Sequence, residues 1–231
     1  MIADIPTTAS DVAAMIDHSL LRPELTDTEI AEGCRLALRY VAASACVRPC
    51  DTALARSLLD RSAVRVCTVV GFPHGDSTPP VKIAEAQRAM DEGAHELDMV
   101  LAIGKLRSGE HTYVEDEIRA IVEAAHARAV IVKVIFENYY LTDEQIVTAC
   151  RLSEKAGADF AKTSTGYAGG GATLDNVRLM RATCGPRVAI KAAGGIRTLE
   201  QLIQFYRAGA TRFGARSTAE IVEEAILRFA S

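Results

Sequence analysis

The segment Lys155–Leu174, KAGADFAKTSTGYAGGGATL, runs from the end of a helical pattern through a glycine into a short apolar stretch, then into small hydroxyl and glycine residues. Gly157 suits the left-handed position just past a helix C-terminus, and Asp159–Lys162 then reads as a strand. The same junction recurs around Gly93 in DEGAHELDMV and around Gly209 in RAGATRFG. The intervals between these glycines each accommodate two helix–strand units.

Working outward, strands are predicted near Ile16–Leu20, Ala42–Val47, Val64–Val70, Glu96–Val100, Ile131–Phe136, Asp159–Lys162, Val188–Lys191 and Thr211–Gly214. Helices are predicted near Asp27–Tyr40, Thr52–Leu59, Pro79–Asp91, Thr112–His126, Asp143–Ala156, Leu174–Thr183, Leu199–Ala208 and Thr218–Phe229. Four of these helices open on a capping box, TDTE at Thr26, TDEQ at Thr142, TLEQ at Thr198 and STAE at Ser217. Strict alternation without a linker predicts an α/β fold, a single (β/α)8 TIM barrel forming one domain over residues 1–231. An open doubly wound sheet fits less well, because no G-x-G-x-x-G turn follows the first strand.

Composition narrows the function. A chain of 231 residues, 49% of them hydrophobic, can bury one sizeable core. Its net charge of −4 leaves no basic footprint for nucleic acid or an anionic membrane. No apolar run reaches the roughly 18 residues of a membrane span, and MIADIPTTASD lacks the pattern of a signal peptide. The six cysteines form no CxxC pair, which points to a reducing cytoplasm.

In such a barrel, side chains near the C-terminal strand ends face the active site. That rule gathers Asp17, Cys46, Asp98, Lys133, Lys162 and Lys191 into one mouth. Charges there are expensive as filling. The bland reading is a buried ion-pair network that fixes strand register; the sharper one is an amine nucleophile. A lysine attacks a carbonyl only as the free amine, and its ordinary pKa is about 10.4. Lowering that to about 7 takes on the order of 4–5 kcal/mol, which burial and a neighbouring ammonium both help supply. Lys162 and Lys191 end adjacent strands, so one can form an imine while the other stays charged. Asp98 is then placed to hold Lys191 and to pass protons at the carbon beside the imine. TSTGYAGGG, AAGGIR and FGARST follow the sixth, seventh and eighth strands, and loops of this kind suit a phosphate group.

The motifs IDHSLLRP, CVRP, VCTVVGFPHG, ELDMV with IGKLRSG, KVIFE, ADFAKTSTGY with GGATL, and IKAAGGIRT together resemble the deoxyribose-phosphate aldolase family over nearly the whole chain. The resemblance implies a cytoplasmic class I aldolase that reversibly cleaves 2-deoxy-D-ribose 5-phosphate to acetaldehyde and D-glyceraldehyde 3-phosphate. It implies Lys162 as the Schiff-base lysine, Lys191 as the lysine that perturbs it, and Asp98 as proton donor and acceptor. Asp17, Cys46 and Lys133 correspond to pocket-lining positions. Thr163, Gly166, Gly194, Gly195, Gly214 and Ser217 complete the substrate-contacting set. No metal and no organic cofactor is expected, and the family implies a homo-oligomer, a dimer or a tetramer. Departures are Arg216 in GARS, where a small residue is expected, CVRPC, where an asparagine is usual, and IFENYY.

Three rivals remain at this stage. A metal-dependent aldolase needs clustered ligands, and His18, His74, His95, His111 and His126 show neither HxH nor HExxH spacing. Cys46 as a thiol nucleophile lacks a histidine partner in sequence. A non-catalytic sugar-phosphate-binding barrel needs only the loops, and leaves Lys162, Lys191 and Asp98 without a purpose.

Overall fold

The computed structural model describes residues 6–230. Eight parallel strands close a barrel in chain order. They are β1 (Ile16–Leu20), β2 (Ser44–Val47), β3 (Arg65–Val70), β4 (Glu96–Val100), β5 (Ile131–Ile135), β6 (Phe160–Lys162), β7 (Ala189–Ala193) and β8 (Arg212–Ala215). The ring shuts where β8 pairs with β1 and Asp17 lies opposite Gly214. Outside run α1 (Ala9–Ala13), α2 (Asp27–Tyr40), α3 (Thr52–Leu58), α4 (Pro79–Asp91), α5 (Ile103–Arg107), α6 (His111–His126), α7 (Asp143–Lys155), α8 (Leu174–Thr183), α9 (Leu199–Arg207) and α10 (Thr218–Phe229). The expected (β/α)8 TIM barrel is therefore the fold. Gly93, Gly157 and Gly209, the three junction glycines, all have positive φ (96°, 88° and 110°).

Two sequence expectations change. Helices α1 and α5 were not anticipated, because five residues are too few to display a helical period. The boxes at Thr26, Thr142 and Thr198 form with both arms in place, but the one expected at Ser217 does not. Ser217 has φ −84° and ψ 44°, away from the extended backbone that aims an N-cap oxygen at the first-turn amides, and its side chain caps nothing.

Strand alternation separates two environments. Leu97, Met99, Val132, Val134, Ala161, Ile190 and Phe213 pack outward against helix residues such as Ile118, Ile121, Ile146, Met180, Leu202 and Ile221. Ala45, Val47 and Val66 do the same against Ile30, Cys34, Ala37 and Leu59. Each large side chain buried this way contributes about 1.5–3 kcal/mol. One ion pair is built into this outer layer. Fully buried Lys82 on α4 donates to Val100 O (2.9 Å) and to Glu117 Oε2 (2.8 Å), while Glu117 also accepts from the Ala102 amide. It fixes the exit of β4. Inside the barrel, alternate positions on β1 and on β4 to β8 include charged residues instead.

Candidate active site

Six inward positions build the charged centre: Asp17 (β1), Glu96 and Asp98 (β4), Lys133 (β5), Lys162 (β6) and Lys191 (β7), all buried. Strand register explains the assembly, since Asp98 lies opposite Lys133 and Lys162 opposite Lys191. Arg212 joins from β8, opposite Lys191, with its guanidinium over the Phe160 ring. Its contacts are Asp17 Oδ1 (2.8 Å) and Glu96 Oε2 (3.3 Å).

The ammonium groups are unequally compensated. Lys133 meets Glu96 (2.6 Å), Asp98 Oδ1 (2.7 Å) and Asp17 (3.4 Å). Lys191 meets Asp17 Oδ2 (2.5 Å) and Asp98 Oδ2 (2.6 Å). Lys162 has one carboxylate partner, Asp98 Oδ2 (2.6 Å), the same oxygen that Lys191 uses. The two amines therefore lie within twice 2.6 Å of each other.

Burial alone would neutralise these groups, but the opposite charges outweigh it. Asp98 is desolvated, yet Lys133, Lys162 and Lys191 hold its carboxyl well below the usual range. Asp17 is held low in the same way by Lys133, Lys191 and Arg212. Burial opposes the Lys191 and Lys133 ammonium groups, and the Asp17 and Asp98 carboxylates raise both above the ordinary lysine value. The three ammonium neighbours of Asp98 favour its carboxylate form in the resting site.

Above this centre lies a cavity of about 510 Å³. Lys162, Lys191, Asp17, Cys46, Gly166, Gly194, Gly195, Gly214 and Ser217 line it. Asp98 sits directly beneath the two lysines. Two expected members are elsewhere. Lys133 is fully buried under the floor, because its position on β5 points it into the carboxylate ring rather than at the opening. Thr163 is also fully buried, and its hydroxyl is taken by the β7 backbone, donating to Ala193 O and accepting from Ala193 N (both 3.1 Å).

Other lining residues escaped the sequence reading: Arg22, Thr165, Tyr167 and Arg197 border the cavity, as does Arg216, which stood out in sequence only as a departure. Alternation on β8 from Gly214 back to Arg212 was a usable signal for the fourth cation; loop residues such as Tyr167 offered none. Thr165 is set by buried Glu137, which accepts its amide (3.0 Å) and its hydroxyl. The Tyr167 ring meets Phe72 edge-on at 5.4 Å. Arg48, another departure in sequence, donates to Asp51 (2.6 Å) and to Pro23 O (2.7 Å), tying the β1–α2 loop to the end of β2.

The side of the cavity formed by the loops after β6 and β7 is largely main chain. Ala172 N donates to Ala193 O and Gly194 O (both 3.1 Å), which joins the loops after β6 and β7. A Cβ on Gly171 would fall 2.3 Å from Gly194 O, and one on Gly194 would fall 2.9 Å from the Gly171 Cα. Ser217, with its hydroxyl unused as a cap, faces the same space at the start of α10.

Cys46, Cys67 and Asp98 place their donor atoms within 4.8 Å of one another. A divalent cation there meets four cationic groups, Lys133, Lys162, Lys191 and Arg212, against three carboxylates, so the surroundings oppose it. The Cys67 thiol instead donates to Asp98 Oδ1 at 3.3 Å.

A TIM barrel with paired lysines over a shared carboxylate, opening into a glycine-lined cavity, defines an aldolase-type site. The DeoC/LacD family aldolase model matches residues 11–219, and the chain belongs to that family. It is similar to the deoxyribose-phosphate aldolase of Exiguobacterium sibiricum, 52% identical over 92% of this chain and 96% of that protein. The Thermococcus gammatolerans deoxyribose-phosphate aldolase is 46% identical over 93% and 96%. Among solved structures, the tetrameric deoxyribose phosphate aldolase of Aeropyrum pernix superimposes with a TM-score of 0.90, at 31% identity, over 99% of this chain and 95% of that one.

Proposed function

We propose that this chain, as one domain over residues 1–231, is a class I aldolase that reversibly cleaves 2-deoxy-D-ribose 5-phosphate to acetaldehyde and D-glyceraldehyde 3-phosphate. The observation that carries the reading is the graded compensation of the lysines. Among the described residues Lys162 has the fewest carboxylate contacts of the three lysines, lines the cavity, and shares its one partner oxygen with an ammonium that is reinforced as a cation. It is the amine that opens to the cavity with the least counter-charge around it, and so the one placed to attack a carbonyl.

In cleavage, Lys162 Nζ attacks C1 of the open-chain sugar, and loss of water gives a protonated imine. The C3 hydroxyl gives up its proton, C3 becomes a carbonyl, and the electrons of the C2–C3 bond flow into the imine. Glyceraldehyde 3-phosphate departs and leaves an enamine. Protonation of that enamine at its terminal carbon, followed by water attack, frees acetaldehyde and the amine. Asp98, fixed as a carboxylate, orients both amines and relays protons, while the Lys191 ammonium is the resident donor, through water. Gly194, Gly195, Gly214 and Ser217 bind the phosphate. No helix among the described residues is long and apolar enough to cross a membrane. The working form in this reading is a cytoplasmic homo-oligomer.

The decisive experiment treats the protein with acetaldehyde and borohydride and maps the reduced two-carbon adduct. The adduct is expected on Lys162, with cleavage unaffected by EDTA. A Lys162→Ala protein that still cleaved the sugar phosphate would end this reading. Binding of the sugar phosphate without turnover or trapping would favour a non-catalytic barrel.

A further inference from the structure

The loop after β8 carries Arg216 at the rim of the cavity, between the glycine wall and Ser217. Its guanidinium makes no hydrogen bond or ion pair with any described residue. Arg212, on the strand that feeds this loop, is by contrast engaged by Asp17 and Glu96. Arg197, on the neighbouring loop after β7, also borders the cavity, and only its backbone amide is bonded, to Gln201. The charge on Arg216 reaches across the opening to Tyr167: burial raises the phenol's pKa, and the guanidinium works against that shift.

An unpaired guanidinium beside backbone amides and a free hydroxyl is matched to an oxyanion. It cannot lose its proton, and its planar fork binds phosphate through two parallel donors. The inner wall of the anion pocket is glycine backbone, which contributes partial charges only. Arg216 is exposed and lines the same cavity as Gly194, Gly195, Gly214 and Ser217, so its guanidinium can cover a phosphate held there on the side that faces water. A small residue there would leave that side open.

We propose that Arg216 is a specificity-determining residue of this aldolase, closing its guanidinium over the outer side of the substrate phosphate and setting the preference for phosphorylated over unphosphorylated sugars. This rests on the functional reading above. It makes discrimination depend on one side chain of the β8–α10 loop, while the lysine centre treats both sugars alike.

The test compares wild type, Arg216→Ser and Arg216→Lys on 2-deoxyribose 5-phosphate and on 2-deoxyribose, with inorganic phosphate as competitive inhibitor. A charge-assisted contact of this kind corresponds to about a ten- to hundred-fold effect. Arg216→Ser is expected to lower the ratio of kcat/KM for the two sugars by about that factor. The loss should lie in KM for the phosphorylated sugar, with inhibition by phosphate weakened in parallel. Arg216→Lys restores the charge without the fork and is expected to recover part of the ratio. Acetaldehyde trapping in each variant reports whether the lysine centre is intact. An unchanged ratio, or equal losses on both sugars, would overturn the assignment of Arg216 while leaving the aldolase reading standing. A wild-type protein that forms no imine and cleaves neither sugar would overturn both.

Discussion

Replacing Lys133 with methionine separates support from chemistry. The substitution keeps an unbranched side chain of similar volume, so packing changes little, but it removes the ammonium that touches Glu96, Asp98 and Asp17. Three buried carboxylates then face only Lys162, Lys191 and Arg212. Breaking a buried ion pair costs about 3–5 kcal/mol. For a chain of this length each kcal/mol lowers Tm by about 2–4 °C, giving a fall of roughly 6–20 °C near neutral pH. The sign with pH also follows. The folded pKa of Lys133 is raised, so its contribution is fully present below about 10.4 and is lost only as pH rises through the higher folded value. In the variant the uncompensated carboxyls can relieve their repulsion by taking up a proton, so the Tm penalty should shrink toward pH 5. Thermal unfolding followed by circular dichroism at pH 5 and pH 8, with acetaldehyde trapping below the transition, reads both effects. Trapping on Lys162 should survive. A Tm within about 2 °C of wild type at pH 8, worth less than about 1 kcal/mol, would refute the counter-ion role. Loss of trapping at unchanged Tm would give Lys133 a part in the chemistry rather than in support.

Burial holds His18 at about 4, with Glu220 pulling weakly the other way, so the folded protein refuses a proton that the unfolded chain accepts near 6.5. Stability is therefore expected to fall by up to about 3 kcal/mol as pH drops from about 6.5 to 4. A His18→Gln protein, which keeps a partner for Thr218, should show a flatter urea midpoint between those limits; an unchanged pH slope would refute this. Arg48→Asn should release the β1–α2 loop and leave Asp51 without its cation, lowering Tm by about 2–4 °C, about 1 kcal/mol for a partly exposed pair. KM for the sugar phosphate should rise severalfold with little change in kcat, and steady-state kinetics that place the loss in kcat would argue against a positioning role.

The barrel was legible because its signals are local. Gly93, Gly157 and Gly209 mark helix ends by a backbone requirement, and Thr26, Thr142 and Thr198 mark helix starts by reciprocal bonds within four residues. Lys162 and Lys191 were recoverable because alternation on short strands fixes which face a residue takes. What sequence could not supply was depth. Lys133 and Lys162 both lie on inward faces, yet one is sealed beneath the floor and the other opens to the cavity. That difference comes from the stagger between strands, which no single strand encodes. Nor could spacing disclose that Lys162 and Lys191 converge on one oxygen of Asp98, or that the Ser217 hydroxyl makes no cap bond to its helix. Arg216 was visible as an oddity of composition, and its lack of a carboxylate partner emerges only in three dimensions.

The contact between Gly171 and Gly194 constrains how such an enzyme can change. Neither position tolerates even a methyl group without forcing two backbones apart, so the join between the loops after β6 and β7 cannot be retuned by stepwise substitution. Evolution, or an engineer, wanting a different anion must work from the margin, where side chains can vary freely over a base that stays the same.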